Sequence, residues 1–184
     1  MISVSNHRWP HVAVVLVAVA ASGCSSSATR DVAAPPSPSA SLAPSPTADP
    51  NGLARSGALS AYRGFRRAQV AAEAVANPRY EALARYAGDK ALAQERGNLL
   101  QLASAGIVVR GAPVLHPVVS TASAQAVTIT DCVDTARWQP VYRATGRFAA
   151  APGQPSTVLA TALARPYGKG WLIVELTTER SRPC

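Results

Sequence analysis

The chain has 184 residues, 48% hydrophobic and 15% charged, with a formal net charge of +8. Once export and linker segments are set aside, that length carries one ordinary core rather than two. The basic balance favours anionic partners. No nucleic-acid motif, glycine-rich phosphate loop or nucleophile elbow accompanies it, so nucleic-acid, nucleotide and serine-hydrolase readings fall away.

Residues 1–23 read as a signal peptide. Arg8, with His7 and His11, makes a weakly basic start, and Val12 to Ala20 is continuously apolar. This run is far shorter than the roughly 20 residues of a spanning helix, which favours cleavage over insertion. Ala21-Ser22-Gly23-Cys24 resembles a bacterial lipobox, although that pattern prefers Leu where Ala21 stands. The resemblance implies diacylglycerol on Cys24 and a place on the outer face of the cell membrane, where two acyl chains hold a protein stably and one would not. The other reading is an ordinary secretory signal cut near Gly23, with Cys24 left free. Residues 24–50 are rich in Ser, Pro and Ala, with Pro35, Pro36, Pro38, Pro44 and Pro46 opposing any helix. Such a stretch buries too little to fold and reads as a disordered tether.

A single domain is expected over 51–184, helices first. Asp49-Pro50 can cap and start a helix running to about Ala76, with Ala58, Tyr62, Phe65, Gln69, Ala72 and Ala76 on one face. Arg63, Arg66 and Arg67 fall off that face. Asn77-Pro78 ends it. A short second helix would bury Tyr80, Leu83 and Tyr86. A third, Lys90 to Ala105, would turn Leu92, Leu99 and Leu102 inward before Gly106 caps it.

From Ile107 the period becomes two. Strands are expected at Ile107–Val109, Val127–Asp131, Trp138–Phe148, Thr157–Leu163 and Trp171–Val174, with a hairpin turn at Tyr167-Gly168-Lys169-Gly170. Helices followed by consecutive antiparallel strands make an α+β fold.

Lipidation of Cys24 would leave Cys132 and Cys184, an even pair in an oxidising compartment, where a disulfide is expected. Closing that loop would stabilise by at most about 4 kcal/mol. Two free thiols or a metal site are the alternatives. No cysteine has a neighbour at ligand spacing, and His7, His11 and His116 do not cluster, so neither metal nor cofactor is expected.

Leu83-Ala-Arg-Tyr86-Ala-Gly88, Gly111-Ala-Pro113, and Thr130-Asp131-Cys132-Val-Asp134 ahead of Trp138, with Gly170-Trp171 and a terminal Cys184, resemble a family of uncharacterised actinobacterial secreted proteins and lipoproteins. The resemblance implies a nuclear-transport-factor-like cone, with amino-terminal helices packed into a strongly curved antiparallel sheet. It implies no activity. The wider superfamily includes isomerases and cyclases, so the site must be argued from its own residues.

An enzyme of that kind needs an acidic base inside the cone. Asp131 shares a strand phase with Val127 and Ile129, but its place at the strand end favours a structural acid. Glu175 reads as an edge or solvent residue, and His116 as a loop or strand-face histidine. Tyr62, Trp138, Tyr142 and Trp171 could line a pocket, although aromatics at this spacing more often build core. The leading expectation is a non-enzymatic, lipid-anchored binding or scaffolding module of the cell envelope. Its partners would be the membrane, through Cys24, and an anionic wall polymer, lipid or envelope protein. The alternative is a small isomerase or cyclase acting on an apolar ligand.

Overall fold

The first helix of the domain owes its position to a stripe of small and aromatic residues. In the computed structural model, which describes residues 49–150, 153–181 and 184, helix α1 spans Gly52–Glu73 and buries Ala54, Ala58, Ala61, Tyr62, Phe65, Ala68 and Ala72. The signal segment, Cys24 and the tether as far as residue 48 lie outside the described residues. Helix α1 stops at Glu73, short of the expected Ala76. Ala76 takes a positive φ of 50°, and the Asn77 amide turns back to the Ala72 carbonyl at 3.0 Å, just ahead of Pro78. A 3-10 turn at Glu81–Arg85 then delivers Leu83 to the core. Helix α2 spans Asp89–Ser104, and Gly106 leaves it with a φ of 66° that suits glycine.

The strands are β1 (Ile107–Gly111), β2 (Pro117–Ala122), β3 (Val127–Asp134), β4 (Trp138–Tyr142), β5 (Thr157–Tyr167) and β6 (Gly170–Glu179). They form two antiparallel sheets, β1-β4 and β2-β3-β5-β6, so the fold is α+β. The division has a local cause. Pro140 sits mid-strand in β4, opposite Val109 of β1, and its missing N–H confines β4 to an edge. The sheets are tied by a bridge in which Val114 and Asp134 exchange backbone bonds of 2.9 and 3.0 Å. Strand β4 ends before Phe148 because a turn follows Tyr142, with Gly146 at a φ of 70°.

Strand β2 is absent from the periodicity for a physical reason. It is an edge strand, it leaves Val118 exposed, and a register shift between Val119 and Thr121 breaks its alternation. Strand β3 alternates throughout, with Val127, Ile129, Asp131 and Val133 buried. In β5 the small face turns inward: Val158, Ala160, Ala162 and Ala164 are buried, while Leu159 and Leu163 occupy the other face. Those alanines let α1 come close to the sheet. Two glycines of α1 seat aromatic rings for the same purpose, since a Cβ at Gly57 would run into Trp171 and one at Gly64 into Tyr86.

Cys132 of β3 is bonded to Cys184, 52 positions further along the sequence, with Cα atoms 5.8 Å apart. The bridge fastens the carboxy terminus to the middle of the four-stranded sheet. No helix among the described residues is long and apolar enough to cross a membrane.

Candidate functional site

Along the inner side of α1, Tyr62, Arg66, Gln69 and Glu73 recur at intervals of four, three and four, which lines them up on one helix face. All four are buried, in a position where charged and amide groups must find partners. Tyr62 donates its hydroxyl proton to Asp131 Oδ2 at 2.7 Å. Arg66 Nε donates to the Tyr62 hydroxyl at 3.0 Å, and Arg66 Nη1 to Gln69 Oε1 at 2.9 Å. Gln69 then spends its amide on two acids, Glu95 Oε2 at 2.8 Å and Glu73 Oε1 at 3.4 Å. Asn98 Nδ2 completes the chain by donating to Glu73 at 3.1 Å. The guanidinium also lies over the Tyr62 ring, 5.2 Å from its centroid.

Helix α2 supplies the second wall. Ala91, Glu95 and Leu99 form its buried stripe, so Glu95 occupies a position that elsewhere on this helix is apolar. The two glutamates therefore face each other across the helix pair. Burial pushes the Glu73 carboxyl up to about 8, helped by the nearby charge of Glu95 and opposed by Arg66. Burial likewise raises Glu95 to about 7, against the hydrogen bonds from Gln69 and Glu73 and the charge of Arg66. The consistent picture is a carboxyl pair that shares one proton near neutrality, held mainly on Glu73. Tyr62 is raised well above the usual phenol range, again chiefly by burial.

This polar seam opens into a groove. One lobe, about 470 Å³, is bounded by α1, α2 and the sheet; a second, about 360 Å³, continues past β4. The lobes share Glu73, Asn98, Thr135, Trp138 and Arg180. Both volumes fall in the range of small-ligand sites, about 300–1,000 Å³. Two buried polar atoms on its walls have no hydrogen-bond partner among the described residues: Glu95 Oε1 and Trp138 Nε1. One accepts and the other donates. With Gln69 on Glu95 Oε2, Oε1 is the oxygen left for the proton shared with Glu73, so Trp138 Nε1 is the group of this pair without a match among the described residues.

The residues singled out by sequence are dispersed. Trp138 stands on the groove wall. Tyr62 is fully buried in the core, bonded to Asp131 and Arg66. Trp171 packs on the core against Gly57 of α1. Tyr142 is exposed at the end of β4, away from the groove. Asp131 is buried and accepts both the Tyr62 hydroxyl and the His116 backbone amide, the latter at 2.6 Å. Glu175 is at the surface, paired with Lys90 at 2.7 Å. Arg66 corrects an expectation: it lies inside, not off the buried face, because Tyr62 and Gln69 satisfy its guanidinium.

Sequence reasoning passed over Gln69, Glu73 and Glu95 as chemistry. A signal existed. Gln69 and Glu73 continue the Tyr62 face at helical spacing, and Glu95 interrupts the stripe made by Ala91 and Leu99.

No protein-family model matches the chain, and no curated protein matches it. Among solved structures, the intermembrane space region of chloroplast protein ARC6 is similar at 14% identity and a TM-score of 0.43, covering 68% of this chain and 96% of that one. A likeness of that size carries no argument about fold or function.

The carboxyl pair gives stability a definite pH dependence. Both folded-state values lie above the ordinary 4.5, so the folded protein retains protons that the unfolded chain has lost. Their contribution is complete below about pH 4.5 and is lost as pH rises towards 8. Glu73→Gln, which imitates the protonated acid, is expected to flatten this slope and to exceed the wild type at pH 8 by about 1 kcal/mol or more. Urea unfolding from pH 4.5 to 8.5 checks it. Parallel slopes for both proteins would contradict the shared-proton arrangement.

Proposed function

We propose that the chain is a lipid-anchored, extracytoplasmic binding module, and that its domain captures a small polar ligand in the groove. The observation that carries this reading is the groove itself, a concave site of two joined lobes whose lining gathers Trp138 with the side chains of Gln94, Asn98, Gln101, Thr135 and Thr178. The anchor rests on the short apolar run and on Ala21-Ser22-Gly23-Cys24, which would place diacylglycerol on Cys24 at the outer face of the cell membrane. The net charge of +8 would favour anionic lipid or wall polymer alongside the domain. As to ancestry, helices preceding antiparallel strands support a nuclear-transport-factor-like cone, and the division into two sheets would make this a divergent one.

A second reading, an isomerase or cyclase, has one observation in its favour: Glu95, raised to about 7, belongs to the lining of the groove and is poised to exchange a proton. Its immediate surroundings argue for binding instead. Gln69 and Glu73 already hydrogen-bond Glu95, and the lobe around it mixes Phe65, Val133, Val158 and Leu176 with the carboxamides of Gln94, Asn98 and Gln101, a lining that does not isolate a base from water.

Two measurements test the proposal. Cys24→Ala is expected to abolish lipid labelling and to move the protein from the membrane fraction to the medium; retention through detergent-free washing would defeat the anchor. For the groove, a library of small polar compounds is screened by thermal shift. Compounds that raise the melting temperature of the wild type are expected to lose their effect on Trp138→Ala. Hits that act equally on both proteins would place binding elsewhere.

A further inference from the structure

We infer that the ligand class of the groove is a neutral saccharide of one or two rings, an inference that rests on the groove being a binding site. Three features of the walls lead to this chemistry.

The first is the mixture of hydrogen-bonding groups. Gln94, Asn98 and Gln101 recur at intervals of four and three along α2, so one face of that helix presents three carboxamides to the groove. Across from them stand the hydroxyls of Thr135 and Thr178. Each carboxamide offers a donor and an acceptor even with one Asn98 N–H given to Glu73, the Thr178 hydroxyl offers both, and the Thr135 hydroxyl, whose proton goes to the Ser156 carbonyl, still accepts. A polyol, whose every hydroxyl both gives and takes, can satisfy such an array in full. An ammonium ion has no acceptor and a phosphate no donor when fully ionised, so each would leave half of these groups without partners.

The second is Trp138. Its indole borders both lobes and presents a flat apolar surface beside a buried N–H. A pyranose ring has the matching character, one face of C–H groups and a rim of hydroxyls. One such ring can lie against the indole while its rim hydroxyls reach the carboxamides of α2.

The third is charge. Arg66 acts on the carboxyl pair, which with one shared proton keeps a single negative charge that offsets its own, so the floor carries no strong net charge. Among the described residues, the remaining cation on the lining of both lobes, Arg180, is exposed and screened by water. Neither a strong cation nor a strong anion finds its counter-charge here.

The test is a titration of the purified protein with N,N′-diacetylchitobiose and with cellobiose, followed by the indole N–H resonance of Trp138 and by calorimetry. Spermidine and inorganic phosphate are titrated in parallel. Saturable binding of either disaccharide, with a shift of the Trp138 indole resonance, is expected. Gln94→Ala and Gln101→Ala alter side chains on an exposed helix face, so the fold should survive; each is expected to weaken the disaccharide at least fivefold. Spermidine or phosphate binding in the groove without disaccharide binding would overturn the saccharide assignment and leave the groove a binding site. No response at Trp138 to any of the four, together with no Trp138-dependent compound in the library screen, would overturn both. Disaccharide binding undiminished in both glutamine variants would overturn the assignment of the α2 carboxamides and with it the groove.

Discussion

A chain of buried hydrogen bonds from Asp131 through Tyr62, Arg66 and Gln69 to Glu73 and Glu95 is the constraint on which the structure turns. It runs along α1 between the helix layer and the sheet, where an ordinary domain would place only apolar side chains. Breaking any link strands a charged or polar group without water, at about 1–3 kcal/mol for a neutral group and more for a charge. The seam thereby fixes the rotation of α1. A turn of the helix by one residue would withdraw Tyr62 from Asp131 and Gln69 from Glu95 together.

The apolar packing on either side is arranged to let the seam close. Alanines on α1 and on the inner face of β5 bring helix and sheet near, and glycines at 57 and 64 admit Trp171 and Tyr86. Leu99 of α2 and Ile129 of β3 seal the same core. The Cys132–Cys184 bridge acts elsewhere, holding the carboxy terminus to β3. At its far end the seam leaves the core and becomes the floor of the groove. There the buried bonds give way to the exposed carboxamides of Gln94, Asn98 and Gln101. The buried network and the candidate site are thus one continuous object, closed inside and open to solvent at its mouth.

Much of this architecture is legible in the residues. The helical period of Ala58, Tyr62, Phe65, Gln69 and Ala72 places α1, the two-residue period of Val127 to Asp131 places β3, and the parity of the cysteines leads to the disulfide. Strand β2 escapes because an edge strand with a bulge buries too little to print a period on its sequence. The interior place of Arg66 escapes because its charge points outward on any hydrophobicity scale, and only the hydroxyl and amide beside it make burial tolerable. The groove is harder still. It joins Glu73 and Glu95 to Trp138, which lies more than forty positions beyond Glu95 on strand β4, and no local pattern records that approach.

The central claim is that Glu73 and Glu95 share a proton near neutral pH inside the protein. Carbon-detected nuclear magnetic resonance of the glutamate side-chain carboxyls measures this directly. Glu73 is expected to titrate near 8 and Glu95 near 7, each sensing the other's ionisation. Two independent titrations close to the ordinary 4.5 would show that the carboxyls are hydrated and separate, and would contradict both the buried seam and the site built on its end.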